Sequence, residues 1–384
     1  GISLLSVASM GTYLATPVTQ KEREDGRGPR SLRFGAASMQ GWRVAQEDAH
    51  IALPDYDASR KLGLFAVFDG HCGSAVSNLV AELLPKELQK SPSFKAGDYP
   101  AALYETFLAL DEYLDSLPGR RVVREIADKA QSSLASILEV EGSLTESGLT
   151  VPQALEELCA GDPDETGCTA VVALLEYGPP ARLHVANCGD SRAVLWDEQG
   201  KAIPMSKDHK PRCKEERARI EAAGGWVNWE GRIEGNLNLS RALADFEYKR
   251  TRNRQRPEKQ MISGVPDVRS RELQVSDRFL LLGCDGVWET RRSSQATVNI
   301  VRQQLPSTKR AKLSVALGQF FDKNIGQGDS TDGLGLDNMT AVLVELPRLT
   351  PAKESKHQRQ TGTPTKALGV RKTIRKRPAA GALV

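Results

Sequence analysis

Four apolar runs, far apart in this chain, each carry an aspartate at one end, so a fold that buries the runs must also accommodate those charges. Residues 61–73 read KLGLFAVFDGHCG, where Leu62 to Phe68 form a fully apolar stretch that predicts a buried strand. The stretch stops at Asp69-Gly70-His71. Residues 279–289, FLLLGCDGVWE, repeat the device with Asp285-Gly286, residues 183–190, LHVANCGD, end on Asp190, and residues 337–346, DNMTAVLVEL, begin on Asp337. One isolated Asp-Gly reads as a hairpin turn. Four acids at four strand ends predict instead a single metal site assembled from distant parts of the chain. Gly70 has no Cβ and lets its backbone approach an ion closely, and His71 is the side chain suited to proton transfer near neutral pH.

Composition narrows the setting. At 384 residues, with 40% apolar and 26% charged side chains, the chain can bury a sizeable core. No run of about 18 apolar residues is present, which predicts no transmembrane helix. Six cysteines at 72, 159, 168, 188, 213 and 284 form no C-x-x-C pair, which predicts a reducing, cytoplasmic setting rather than a disulfide framework or zinc cluster. The net charge of +3 conceals an asymmetry, because residues 351–384 carry nine Lys or Arg against Glu354 alone and leave the body at −5. The tail contains RKTIRKR, which would suit nuclear import; a disordered solvated tail is the simpler reading. It has no aromatic residue for base stacking, so no nucleic-acid partner is expected. Met10-Gly11 would place Gly11 for N-myristoylation and peripheral membrane association if Met10 is the natural start. Ala15 stands where Ser or Thr is wanted, so an unmodified flexible end is preferred.

Three regions are expected: a flexible segment 1–30 (its first nine residues extraneous, or an alternative upstream reading, if Met10 is the natural start), a globular domain 31–349, and the basic tail 350–384. Helical spacing predicts helices over 74–89 and 100–117. The region 112–165 reads as a helical insertion with short patterns at 122–138 and 151–158. A hairpin is expected over 182–197 with Gly189-Asp190 at its tip, a helix closed by Gly224-Gly225, a basic loop over 249–259, and a loop over 319–337. Few standard strand–helix–strand units occur, and no glycine-rich phosphate loop. The fold class predicted is α+β, with antiparallel sheets covered by helices. Arg43, Glu47 and Asp48 follow an R-x-x-x-E-D spacing that, on an extended segment, puts Arg43 and Glu47 on one face.

All-oxygen ligands suit hard cations, Mg²⁺ or Mn²⁺ before Zn²⁺. Two such ions about 3.5–4 Å apart could share a carboxylate and activate a water for phosphate-ester hydrolysis. Arg43 could grip phosphoryl oxygens and His71 could protonate the departing alkoxide.

Nine motifs occur in an order that resembles the metal-dependent protein serine/threonine phosphatases of the PPM, or type 2C, family. They are QGWRVAQEDAH (40–50), FAVFDGHCG (65–73), TGCTAVVAL (166–174), VANCGDSRAVL (185–195), KDHKP (207–211), RIEAAGGWV (219–227), LSRALADFEYK (239–249), LLGCDGVWE (281–289) and DNMTAVLV (337–344). The resemblance spans roughly residues 32–347. It implies a β-sandwich of two antiparallel sheets flanked by helices, with metals in a cleft at one end and a flap over 206–238. It implies Asp69, Asp285 and Asp337 as metal ligands, with Asp69 bridging two ions. Gly70 would offer its carbonyl and Glu47 its carboxylate to the second ion, with Asp48 orienting the ligands. Arg43 would bind phosphate and His71 act as general acid, while Asp190 and Glu289 map to a weaker third-metal site. The partners implied are phosphoproteins, met by a monomer. The chain departs from the family pattern at Cys72 (usually Gly or Ala), Cys168 (Ser or Thr), Ala244 (Gly) and Glu289 (Asp). A regulatory pseudophosphatase with the same fold is the alternative; it should lack one of Asp69, Asp285, Asp337 or Arg43, and all four are present.

Overall fold

A computed structural model describes residues 13–141, 164–249, 256–291, 293–305, 308, 311–327 and 333–349. The strands are β1 (Tyr13–Arg27), β2 (Arg33–Arg43), β3 (Ala49–Asp57), β4 (Leu62–Phe68), β5 (Gly70–His71), β6 (Gly167–Cys168), β7 (Ala170–Glu176), β8 (Arg182–Cys188), β9 (Arg192–Asp197), β10 (Ala202–Pro204), β11 (Leu243–Ala244), β12 (Asp267–Glu272), β13 (Asp277–Gly283) and β14 (Met339–Glu345). The helices are α1 (Ala75–Lys90), α2 (Pro92–Ala96), α3 (Tyr99–Asp115), α4 (Leu117–Glu141), α5 (Lys214–Ala222), α6 (Phe246–Lys249), α7 (Asp285–Trp288), α8 (Ser294–Gln304) and α9 (Leu313–Asp322).

Two antiparallel sheets face each other. One has the order β1-β2-β14-β13-β9-β10 and the other β12-β8-β7-β4-β3, with a small third sheet β11-β6-β5 at one end. β4 shows why its run is apolar throughout. Phe65 and Val67 point into the core between the sheets, while Leu62, Leu64, Ala66 and Phe68 point into a second core shared with α1 and α3. A strand covered on both faces has no side chain left for water. β7 divides in the same way, with Val171, Ala173 and Leu175 against the facing sheet and Ala170, Val172 and Leu174 toward the helices. On the opposite outer face, Leu313, Leu317, Phe320 and Phe321 of α9 and Val298 and Val301 of α8 complete the core. The result is the expected α+β sandwich, layered helix, sheet, sheet, helix.

Several local expectations fail for identifiable reasons. Residues 13–27 are not a flexible segment: β1 pairs with β2 through backbone hydrogen bonds from Arg27↔Arg33 to Tyr13↔Arg43. An edge strand buries little side chain, so the polar run TQKEREDGR gives no hydropathy signal. Asp25 also accepts from Ser314 N at 3.0 Å, tying β1 to the start of α9. The hairpin at 182–197 is absent, because β8 and β9 belong to different sheets. Gly189, at φ +117°, turns the chain from one sheet to the other and leaves Asp190 between them. The helix in the insertion is one 25-residue α4 where a shorter pattern at 122–138 was expected, and the pattern at 151–158 lies outside the described residues. Part of the loop at 319–337 is helix, since α9 runs to Asp322. Lys249 is not on a solvated loop: its ammonium is buried, 2.6 Å from Asp111 Oδ1 and 2.9 Å from the Ala242 carbonyl. The glycine stop is confirmed, with Gly224 at φ +94° and Gly225 N donating to Ile220 O at 3.0 Å. No helix among the described residues is long and apolar enough to cross a membrane. Gly11 and residues 350–384 lie outside the described residues.

Candidate active site

The strand-end acids converge at one end of the sandwich. Asp69 follows β4, Asp190 sits at the β8–β9 crossing, Asp285 leaves β13 into α7, and Asp337 stands two residues before β14. They line a cleft of about 670 Å³ together with Arg43, Glu47, Gly70, His71 and Glu289. One carboxylate oxygen each from Asp69, Asp190 and Asp285 lies within 4.8 Å of the others, and Asp48, Asp69 and Cys284 form a second such group.

Local geometry explains the placement. Asp337 Oδ1 accepts from Asn338 N at 2.8 Å, and Asn338 reaches across to the β2–β3 loop: its Nδ2 donates to Gln40 O at 2.8 Å and Ala45 O at 3.0 Å, and its Oδ1 accepts from Glu47 N at 3.0 Å. Glu47 therefore meets the acids through a loop; β2 ends at Arg43, so the expected shared face of an extended segment does not arise. Glu47 Oε1 accepts from Gly73 N at 2.6 Å. Gly70 must lack a side chain, because a Cβ there would lie 2.4 Å from the Glu47 carbonyl oxygen. Arg43 Nη2 donates to Asp337 Oδ2 at 2.8 Å, its guanidinium carbon lies 5.8 Å from the Tyr13 ring centre, and its buried Nε has no hydrogen-bond partner among the described residues.

Burial and crowding act together on these acids. Burial pushes the Asp69 carboxyl well above its ordinary value, reinforced by Asp285, Asp48 and Asp337. Asp285 is raised in the same way by burial, Glu289 and Asp190. Burial raises Glu47, opposed in part by Arg43, and lifts Asp48 to about 7. Hydrogen bonds from the Thr340 hydroxyl and the Cys284 thiol oppose the rise of Asp48 in part. Burial pushes the Cys284 thiol well above its ordinary value. Buried, oxygen-rich and short of counter-charge, this donor set fits hard divalent cations.

Three residues at the site were not singled out from the sequence. Asp245 is almost fully buried, and its Oδ1 lies 2.7 Å from His71 Nε2. Burial alone would lower the histidine, but Asp245 reverses the sign and raises it. Asp245 and the preceding Ala244 both adopt left-handed backbone, at φ +54° and +62°, so the substitution at Ala244 leaves a strained turn in place. A Cβ at Gly167 would stand 2.6 Å from the Asp245 oxygens, which is why that position is glycine. Asn338 is the loop staple described above. Lys210 places its ammonium 2.6 Å from Asp190 Oδ2 and 3.0 Å from Glu289 Oε1. The motif DNMT contained a signal for Asn338, since a buried amide beside a site acid must satisfy donors and acceptor. Asp245 and Lys210 reach their partners across 174 and 20 residues, a relation that spacing cannot encode.

Comparison with known proteins gives the family. The protein phosphatase 2C family profile matches residues 32–122 and 119–325. A protein from Arabidopsis thaliana named "Probable protein phosphatase 2C 21" is 38% identical over 351 residues, covering 90% of this chain and 95% of its own. Protein phosphatase 2C 1 of Paramecium tetraurelia is 40% identical over 343 residues, covering 88% of this chain and all of its own. Among solved structures, a phosphatase from a pathogenic strain of Toxoplasma gondii superposes with a TM-score of 0.61 at 25% identity, over 85% of this chain and 97% of that one. A serine-threonine phosphatase 2C from Toxoplasma gondii shares the fold, with a TM-score of 0.55 at 22% identity over 84% of this chain and 99% of that one. Fold and site together define a phosphatase-class α+β sandwich. The chain belongs to the protein phosphatase 2C family.

Proposed function

We propose that this chain is an active protein serine/threonine phosphatase that releases phosphate from phosphoserine and phosphothreonine by direct attack of water, with no covalent enzyme intermediate. The observation that carries this reading is the convergence of Asp69, Asp190 and Asp285 within 4.8 Å, beside Arg43 and His71 in one cleft. Asp69, Asp285 and Asp337 would hold one Mg²⁺ or Mn²⁺ ion. Asp69, the Gly70 carbonyl and Glu47 would hold a second, with Asp48 orienting the ligands. When bound, the ions supply charge neutralisation and Lewis-acid activation of the attacking water.

The remaining work falls to the chain's own side chains. Arg43, at the cleft edge, orients the phosphoryl group through its forked donors. His71 is the general acid: Asp245 engages Nε2, so Nδ1 is the nitrogen left to pass a proton to the serine or threonine oxygen. The raised proton affinity of His71 keeps a proton available near neutral pH. We take residues 31–349 as the catalytic domain, β1 as its extension, and 350–384 as a separate tail. Phosphoproteins are the substrates, met by a monomer in the cytoplasm.

Phosphate release from a phosphothreonine peptide, measured with Mn²⁺, with Mg²⁺ and with chelator, tests this. Metal-dependent release that is lost in Asp285→Ala supports the reading. A folded protein that releases none under any metal is a pseudophosphatase.

A further inference from the structure

Among the described residues, Lys210 stands within 4.0 Å of three carboxylates of the cleft. Its Nζ lies 2.6 Å from Asp190 Oδ2, 3.0 Å from Glu289 Oε1 and 4.0 Å from Asp285 Oδ2. Those acids come from the β8–β9 crossing and from the two ends of the α7 turn, so one ammonium ties two separate places in the chain together. Asp190 is almost wholly buried, whereas the Lys210 side chain keeps 30% of its surface exposed. An ammonium is a compact point charge with three donors, well shaped for three converging oxygens.

The backbone around Lys210 is pinned on both sides. His209 N donates to Gly189 O at 3.0 Å and Gly189 N donates to His209 Nδ1 at 3.1 Å. Asp208 accepts from Arg192 Nε at 2.8 Å, and Cys213 N donates to Lys210 O at 2.9 Å. The lysine can leave the acids by swinging its side chain toward solvent, without moving the chain.

A small divalent ion sits about 2.0–2.1 Å from its oxygen ligands. An ion on Asp190 and Glu289 would therefore crowd an ammonium held by the same two carboxylates, and two positive charges at that separation repel strongly. We propose that Lys210 is the resident cation of the outer site, and that a third divalent ion binds Asp190 and Glu289 only by displacing it. The proposal rests on the two-ion reading above for the cleft's role, but the competition itself requires no turnover. Lys210, the second lysine of KDHKP, thereby neutralises the outer acids when the third ion is absent and keeps that ion's occupancy low.

Isothermal titration of the full chain with Mn²⁺ tests the idea. In Lys210→Met the two tighter equivalents should change less than about 3-fold, while a third should tighten about 10-fold or more. Lys210→Arg keeps a charge there and should leave the third equivalent as weak as in wild type. In the wild-type protein, the ¹⁵N signal of the Lys210 ammonium, identified by its loss in Lys210→Arg, should move with the third equivalent of Mg²⁺ and not with the first two; this arm holds even where Lys210→Met folds poorly. Two bound ions and an unchanged or weakened third site in Lys210→Met, or an ammonium signal indifferent to the third equivalent, overturn the competition and leave the two-ion reading standing. Binding of no ions overturns both.

Discussion

Asp48 and Asp285 each gather on Asp69, with no basic side chain among the described residues nearer than Lys210 at 4.0 Å from Asp285, whereas the acids along the rim of the cleft are paired with basic side chains. Asp337 holds Arg43 at 2.8 Å, Asp190 and Glu289 share Lys210, and Asp245 holds His71 at 2.7 Å. The difference separates two ways of keeping charge in a protein interior. Burial and neighbouring acids outweigh any cation nearby and raise the carboxyls of Asp69, Asp285 and Asp48, which resist ionisation. An acid with a tethered cation positions that cation. The inner half is built to receive ions from solution, and the rim carries its own.

The largest effect should come from removing the acid that belongs to both clusters. Asp69→Asn should cut metal-dependent phosphate release by about 10³-fold or more. The same variant in chelator should melt higher than wild type, since a crowded carboxyl has become a neutral amide. A lower melting temperature in chelator would break the comparison, because it would mean that the inner acids are already neutralised within the chain.

Asp245→Asn probes the rim. With the charge of its partner gone, His71 loses proton affinity, and release from a phosphothreonine peptide should fall by about 10²-fold. Hydrolysis of p-nitrophenyl phosphate, whose leaving group needs no proton, should fall far less. Equal losses on the two substrates would show that Asp245 supports only the fold.

Stability against pH separates the halves more gently. The Asp48 carboxyl has a folded value of about 7 against an ordinary 3.8, so the metal-free native state binds the extra proton and the unfolded chain does not. Stability without metal should therefore fall as pH rises from about 4 to about 7, with the raised carboxyls of Asp69 and Asp285 acting in the same direction, as chemical denaturation in chelator would record. Saturating Mg²⁺ should flatten the decline. A metal-free profile that climbs over this range contradicts the inner-site electrostatics.

The smallest effect concerns the turn that carries Asp245. Ala244→Gly removes the cost of a side chain at φ +62° but loses a buried methyl, and the two terms, each about 1 kcal/mol, should nearly cancel. Ala244→Val should cost about 2 kcal/mol or more, since a β-branched residue is a poor occupant of left-handed backbone. Urea denaturation of the pair distinguishes a strained turn from one that tolerates any side chain.

By itself the sequence determined the buried strands and the acids at their ends. Leu62 to Phe68 and Phe279 to Leu282 announce themselves because burial on two faces demands an unbroken apolar run, and an aspartate just beyond such a run is held by a rigid element. The family motifs then allowed roles to be assigned to Asp69, Asp285, Asp337, Glu47 and Arg43 before any contact was known. Only the tertiary structure decided that 13–27 is an edge strand, that β8 and β9 part into different sheets at Gly189, and that Asp245, Asn338 and Lys210 stand beside His71, Glu47 and Asp190. Hydropathy reports how much of a segment leaves water, a local property with a strong period. A polar contact depends on which two surfaces meet in space, and that is settled by packing across the whole chain.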